Sequence, residues 1–305
     1  MNGLQLESSL DAVEVALGEV VRTDVELLQA ASEHIIRSGG KRLRPRLVLL
    51  AYLAAGGWEL AEAINLAAAV ELVHTATLVH DDINDHSLTR RGKIAVHARW
   101  GRTFALLAGD YLFTKVYELM APYGRRFNML MAEACVRLVE GETLQAAAAK
   151  AGAIDQETYK RIIARKTASL FEAGARMGAE LAAGESAVAD ALGVFGHNLG
   201  LAFQIVDDVL DIVGDPEVLG KPVGSDHAHG AGVGVAHNGR PAAVVEDDPI
   251  QAMLARLRDS GAVDVALAQG AEWAGRARQA LTAVPAGPAR DELDGLVSLV
   301  LVRQN

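Results

Sequence analysis

Apolar residues recur three and four positions apart through most of the first 215 residues, the period of helices that bury at least one face. Over residues 10–36 acids and Arg22 lie between the apolar positions, and Ser38-Gly39-Gly40 supplies a stop, so a first helical unit is expected to end there. Pro45 suits the first turn of the next unit, over residues 47–55, which Gly56-Gly57 breaks. Residues 59 to about 85 are apolar on all sides, which predicts a central helix of a bundle rather than a surface helix. Further helices are expected at about 103–120, 128–149, 155–181, 187–213 and 249–283, with a last one after Pro288. No stretch alternates strictly enough to demand a strand. Residues 214–246 are crowded with Gly, His and Pro and poor in large apolar residues, so a long loop or lid is expected there.

The chain has 305 residues, half of them hydrophobic, which supplies the core of one all-helical domain or of two smaller ones. Abundant Ala, Leu, Val and Glu favour one helical body, and a single domain over residues 1–305 is expected. Cys135 is the only cysteine, so no internal disulfide forms and a reducing compartment is the natural setting. The N-terminal 17 residues lack a basic start with a continuous apolar run, and no stretch approaches the roughly 20 uninterrupted apolar residues of a membrane span. A cytoplasmic protein with no membrane span is expected. A net charge of −10 argues against a nucleic-acid surface, which needs clustered Lys and Arg.

Two segments carry the chemical signal, Leu78-Val79-His80-Asp81-Asp82-Ile83-Asn84-Asp85 and Gln204-Ile205-Val206-Asp207-Asp208-Val209-Leu210-Asp211. On a helix the first and last aspartates of each Asp-Asp-x-x-Asp lie one turn apart on one face, making two carboxylate ledges. Such ledges suit Mg²⁺, which takes one or two carboxylates and completes its shell with water and substrate phosphate. A single copy is often a solvated helix end. Two copies, each following a strongly apolar run, place aspartates where they are costly unless paired or coordinated. A ferritin-like di-metal centre expects Glu and Glu-x-x-His on four helices, and that pattern is absent.

The ordered set Gly39-Gly40-Lys41-Arg42-Leu43-Arg44-Pro45, His74, the first aspartate motif, Arg90-Arg91-Gly92, Gly109-Asp110-Tyr111-Leu112, Lys166-Thr167, Gln204 with the second motif, and Gly220-Lys221-Pro222-x-Gly224-x-Asp226 resembles the trans-isoprenyl (polyprenyl) diphosphate synthases. The resemblance covers about residues 35–226. It implies an all-α isoprenoid synthase fold, a single large helical bundle around a central cavity, and a homodimer. It implies a prenyltransferase that condenses isopentenyl diphosphate with geranyl, farnesyl or geranylgeranyl diphosphate by ionisation, condensation and elimination. It further implies that the two motifs hold three Mg²⁺ ions, with Asp81 and Asp85 binding two and Asp207 the third, while Asp82, Asp208 and Asp211 orient water and basic partners. By the same resemblance Lys41, Arg44, His74 and Arg91 grip isopentenyl diphosphate, and Arg90, Lys166 and Lys221 hold the allylic diphosphate. Thr167 and Gln204 are implied to turn oxygen dipoles toward the developing carbocation, and the released diphosphate to take the final proton.

The residues four and five before the first motif, which the family uses as a pocket floor, are the small Thr77 and Ala76, so a long-chain product of hexaprenyl length or more is expected. Phe113 and Tyr117 are candidates for a deeper stop. His80 and His86 flank the motif but are expected to be non-ligands, because Mg²⁺ prefers oxygen. His227, His229 and His237 are too irregularly spaced for a zinc site. After Asp226 the chain departs from the family pattern, with Ala231 where a second diphosphate-binding lysine is expected. That departure motivates a rival expectation, a poorly active or non-catalytic prenyl-diphosphate-binding partner subunit. A terpene cyclase or squalene-type enzyme is a second rival, which would not need the Gly-Lys-Arg-x-Arg segment with His74.

Overall fold

The computed structural model describes residues 3–151, 155–213 and 261–302. Its contacts divide the chain into two compact units. The first comprises Met1–Glu133, Ala173–Gly193 and Ala283–Leu293, and the second Ala134–Glu172, Val194–Thr282 and Asp294–Asn305. Apart from one small hairpin, the regular structure among the described residues is helical.

The first unit contains α1 (Gly3–Val20), α2 (Glu26–Ile36) and α3 (Leu43–Ala54), then a 3-10 turn (Leu60–Ala63) that runs into α4 (Ile64–Asn84). A hairpin of β1 (Thr89–Arg90) and β2 (Lys93–Ile94) follows, then α5 (Val96–Trp100) and α6 (Arg102–Met120). Helix α4 is the axis of this unit and packs on α6, α1 and α3. Its Leu66, Ala67, Ala68, Ala69, Val70, Leu72 and Val73 are all fully buried, as a helix without a polar side must be. Length and apolarity alone would let the segment Leu60–Asn84 cross a membrane, but most of it is buried inside the protein.

Helix α7 (Gly124–Ala151) starts in the first unit and ends in the second. The second unit continues with α8 (Gln156–Ile163), which Asp155 caps by accepting from the Thr158 amide at 2.7 Å. A π-helical turn (Ala164–Ala168) leads into α9 (Ser169–Leu181), which from Ala173 belongs to the first unit; α10 (Ser186–Val213) and α12 (Pro288–Val302) each begin in the first unit and end in the second, and α11 (Ala262–Ala280) lies in the second. Tyr159, Ile162, Ile163, Ala168, Leu201, Ile205, Val209 and Ala266 form the core here. Cys135 is half-buried, and burial pushes its thiol up to about 11.

Three expectations need correction. Residues 10–36 form two helices, because the Thr23 hydroxyl accepts from the Val25 amide and the Gln29 side chain accepts from the Thr23 amide, taking backbone groups that a continuous helix would use. Residues 155–181 are interrupted by the π turn. The hairpin was invisible because each strand is two residues long. Residues 214–260, with the expected lid and the first part of the expected 249–283 helix, lie outside the described residues.

Close helix contacts depend on glycine. In the first unit a Cβ on Gly178 of α9 would lie 2.4 Å from the Val48 carbonyl oxygen of α3. Gly178→Ala is therefore expected to destabilise the fold by about 1–3 kcal/mol, read as a melting point lower by a few degrees. Gly275→Ala on α11, where a Cβ meets nothing within 4 Å, should leave the melting point unchanged or raise it.

Candidate active site

The first aspartate motif ends α4. Asp85 caps the helix with its amide on the Asp81 carbonyl at 2.8 Å, so the two carboxylates sit one turn apart, both half-buried. Asp82, only 1% exposed, faces the other way and accepts from Arg90 Nε at 2.7 Å and Nη2 at 2.5 Å. Burial pushes the Asp82 carboxyl up, and Arg90 opposes that shift. Burial alone would lower Arg90, but Asp82, Asp81 and Asp85 more than compensate and hold it above the ordinary guanidinium value.

Arg90 reaches Asp82 because the chain turns sharply behind it. Strand β1 pairs antiparallel with β2, Arg90 opposite Lys93, through a two-residue turn in which both Arg91 (φ 51°) and Gly92 (φ 74°) are left-handed. That is the backbone a tight hairpin requires, and a non-glycine residue holds it only where its surroundings fix it. Here the hairpin is tied to the segment between α2 and α3. Arg91 donates to the Gly39 carbonyl, Lys93 Nζ to the Arg37 carbonyl at 2.6 Å, and His34 Nε2 lies 2.7 Å from the Ile94 carbonyl. Gly40 leaves room for the Arg91 guanidinium, since a Cβ there would come within 2.6 Å of Nη1.

The same segment carries Lys41 and runs into the first turn of α3, which carries Arg44, and Arg42 anchors it. Arg42 is left-handed (φ 47°), and its guanidinium engages Glu14 on α1, Glu71 on α4 at 2.7 Å and the Ile36 carbonyl at 3.0 Å. Glu71 is only 3% exposed, so this is a charge pair inside the unit. His74, one turn further along α4, is half-buried. Burial, then the positive fields of Arg44, Arg91, Arg90 and Arg42, hold its imidazole well below the ordinary histidine range. The first unit thus gathers Lys41, Arg44, His74 and Arg91 near the α2–α3 segment, and Arg90, Asp81 and Asp85 at the end of α4.

In the second unit Lys166 and Thr167 ride on the π turn. Lys166 Nζ pairs with Glu142 of α7 at 2.9 Å, and α7 approaches so closely that a Cβ on Gly141 would lie 2.5 Å from the Lys166 backbone nitrogen. Thr167 donates to Gln204 Oε1 at 2.7 Å. Gln204 Nε2 donates to Asp208 Oδ1 at 2.8 Å, and the Tyr159 hydroxyl donates to Asp208 Oδ2 at 2.5 Å. An amide and a phenol thus both donate to Asp208. Asp207 is half-buried and Asp211 1% exposed. Tyr159 escaped the sequence analysis because its partner lies 49 residues away and its own position reads as the apolar face of α8. Lys221, Ala231, His227, His229 and His237 lie outside the described residues. Tyr117, expected as a deeper stop, is 74% exposed, because Val116, Leu119 and Met120 take the buried side at the end of α6. Phe113 is half-buried and stacks on His80, with ring centroids 6.1 Å apart.

The donor chemistry fits a hard divalent cation. Asp81 with Asp85, and Asp207 on α10, offer carboxylate oxygens that leave most of a coordination shell to water and phosphate, as Mg²⁺ favours. Among the described residues no group of three or more His, Cys, Asp or Glu stands ready to hold a metal ion.

The position of His74 has a consequence for stability. Folding lowers its proton affinity, so the unfolded chain takes up the proton first as pH falls below the ordinary value of 6.5. The residue contributes its share of stability above that pH and withdraws it as pH falls toward the folded-state value. In urea titrations the wild-type protein is expected to lose stability between about pH 7 and about pH 5 more steeply than His74→Gln. Equal slopes would mean that this imidazole titrates alike in both states.

Residues 25–233 match the profile of the polyprenyl synthetase family. The chain is 44% identical to a short chain isoprenyl diphosphate synthase of Methanothermobacter thermautotrophicus over 67% of this chain and 64% of that protein. It is 34% identical to the octaprenyl diphosphate synthase of Escherichia coli over 95% of this chain and 94% of that enzyme. Among solved structures, a polyprenyl synthase of Caulobacter crescentus CB15, complexed with calcium and isoprenyl diphosphate, superposes with a TM-score of 0.92 at 35% identity, covering 98% of this chain and 96% of that one. The all-α isoprenoid synthase fold, the ordered motifs and these relatives agree, and the chain belongs to the polyprenyl synthetase family.

Proposed function

We propose that this chain is a prenyltransferase that condenses isopentenyl diphosphate with an allylic diphosphate such as geranyl, farnesyl or geranylgeranyl diphosphate, and releases a longer all-trans polyprenyl diphosphate. The observation that carries the proposal is the separation of two kinds of anion-handling group within the first unit. Arg90 stands among carboxylates that suit a metal-bound diphosphate, while Lys41, Arg44, Arg91 and His74 form a cationic group drawn together by the hairpin and Arg42. A condensation in which one diphosphate leaves and the other stays on the product needs both, and a cyclase or squalene-type enzyme, with no isopentenyl diphosphate to grip, has no use for the second.

In this proposal Asp81, Asp85 and Asp207 hold up to three Mg²⁺ ions, which on binding supply charge neutralisation for the departing diphosphate. Arg90 and Lys166 hold the same diphosphate by charge-assisted hydrogen bonds, with Lys221 as a further contact. Lys41, Arg44 and Arg91 grip isopentenyl diphosphate, and His74, neutral without it, regains proton affinity as the anion cancels the arginine field. Thr167 and Gln204 turn oxygen dipoles toward the allylic cation. The released diphosphate removes the last proton. The two units form one catalytic domain, supported by a family match that runs across both. A pair of identical subunits is favoured by Phe104, Leu107 and Tyr117 of α6, large side chains left exposed.

The product is long. Ala76 and Thr77 on the α4 turn before the first motif are small, and the octaprenyl synthase is a relative along almost the whole chain. The partner-subunit alternative rests on Ala231 and the altered segment after Asp226, and no observation among the described residues favours it.

Purified protein given Mg²⁺, labelled isopentenyl diphosphate and each allylic primer is expected to yield products of hexaprenyl length or more. Asp81→Ala should lower turnover on the order of 10²-fold or more, and unchanged turnover would remove Asp81 from the metal site. Ala76→Tyr is expected to keep activity and shift the products to shorter chains, as read by chromatography of the hydrolysed prenols. An unchanged distribution would place the stop elsewhere.

A further inference from the structure

The net charge of −10 is unevenly spread along the chain. Residues 34–58 and 86–109 hold none of the 39 Asp and Glu, yet each stretch carries five of the 29 Lys and Arg. The two stretches are separate in sequence, and the first unit lays them against each other. Lys93 Nζ donates to the Arg37 carbonyl at 2.6 Å, Arg91 donates to the Gly39 carbonyl, and His34 Nε2 lies 2.7 Å from the Ile94 carbonyl. The result is a cationic face on an acidic protein, with the exposed Lys41 and Arg91 on it.

Part of that charge is cancelled where it sits. Glu14 and Glu71 take up Arg42, Glu7 takes up Arg46, Asp82 takes up Arg90, and Glu33 pairs with Arg37 at 3.3 Å. Lys93 and Arg99 are exposed, and their contacts are of another kind. Lys93 is held by a carbonyl. Arg99 Nη1 lies 3.3 Å from His34 Nδ1, and the guanidinium sits over the Trp100 ring, 4.5 Å from its centroid. A guanidinium only donates, so His34 Nδ1 accepts and Nε2 carries the hydrogen given to Ile94. One imidazole thus holds Arg99 beside the hairpin that carries Arg91, and none of these contacts brings a negative charge. A small polyanion is repelled by the protein as a whole and drawn in at this face.

We propose that Lys93 and Arg99 form a capture surface for isopentenyl diphosphate: they draw the free anion toward Lys41, Arg44 and Arg91 without gripping it once it is bound. This rests on the assignment of that cationic group to isopentenyl diphosphate under the proposed function.

The test reads kcat/KM for isopentenyl diphosphate, with the allylic substrate saturating, at ionic strengths of about 0.03 M and about 0.5 M. At the lower value Lys93→Gln and Arg99→Gln are each expected to lose about two-fold and Arg99→Glu about four-fold, with kcat and the melting point retained. Arg99→Lys should match the wild type, because a field depends on charge and not on the guanidinium fork. At the higher value the Debye length is only about 4 Å, and all variants should converge on the wild type. Arg125→Glu is the control for net charge. Arg125 is exposed at the start of α7, next to the Tyr123 hydroxyl that accepts from the Leu66 amide, and Leu66 lies about 22 Å along α4 from Asp81. Its substitution should cost much less than Arg99→Glu. An equal cost would assign the effect to net charge and overturn the inference. A loss that persists at high ionic strength, or that Arg99→Lys shares, would reduce Arg99 to a structural contact and overturn it too, as would full activity of every variant at low ionic strength. Failure of the wild-type protein to elongate any primer would overturn the proposed function, and the inference with it.

Discussion

Asp82, Asp208 and Asp211 are almost wholly removed from water near the ends of helices rich in alanine, valine and leucine. A carboxylate in such a place is costly unless its oxygens are taken up, so each demands donors from elsewhere in the chain. Asp82 draws the β-hairpin onto the end of α4 through Arg90, and Asp208 draws α8 and the side chain of Gln204 together. Much of the irregular structure in both units answers this demand. The neighbouring Asp81, Asp85 and Asp207 stay half-buried.

The cationic side is built by an opposite device. Arg42 is spent on Glu14, Glu71 and a carbonyl, which fixes the segment that presents Lys41 and Arg44, while Arg91 is bent back in a left-handed turn toward Gly39. Burial, and then the arginines packed this closely, lower the proton affinity of His74. Under the proposed function, this positive field is what an incoming diphosphate meets.

Rigid backbone supports both halves. Gly40 makes room for the Arg91 guanidinium, and Gly141 lets α7 touch the π turn that carries Lys166 and Thr167. At such places a side chain would displace a functional group by tenths of an ångström, enough to matter for charge stabilisation that falls with distance. The π turn adds one residue to a helical path and so re-aims Lys166 and Thr167 relative to an unbroken helix.

Helical character, the central position of α4 and the two carboxylate ledges were legible in the sequence, because apolar period and i, i+4 spacing are local properties of a helix. The boundary at residues 21–25, the two-residue strands and the π turn were not, since each rests on a few side-chain-to-backbone bonds or close contacts rather than on periodicity. The motifs named the candidate residues, yet what each one does depends on partners far along the chain. Arg42 finds Glu71, 29 residues away, and Tyr159 finds Asp208, 49 residues away, and only folding brings such pairs within hydrogen-bond distance. By itself the sequence determined which groups carry charge and which helices must be buried, because burial follows composition. Only the tertiary structure decided which buried charge answers which, because that is a matter of distance between segments and no local pattern records it.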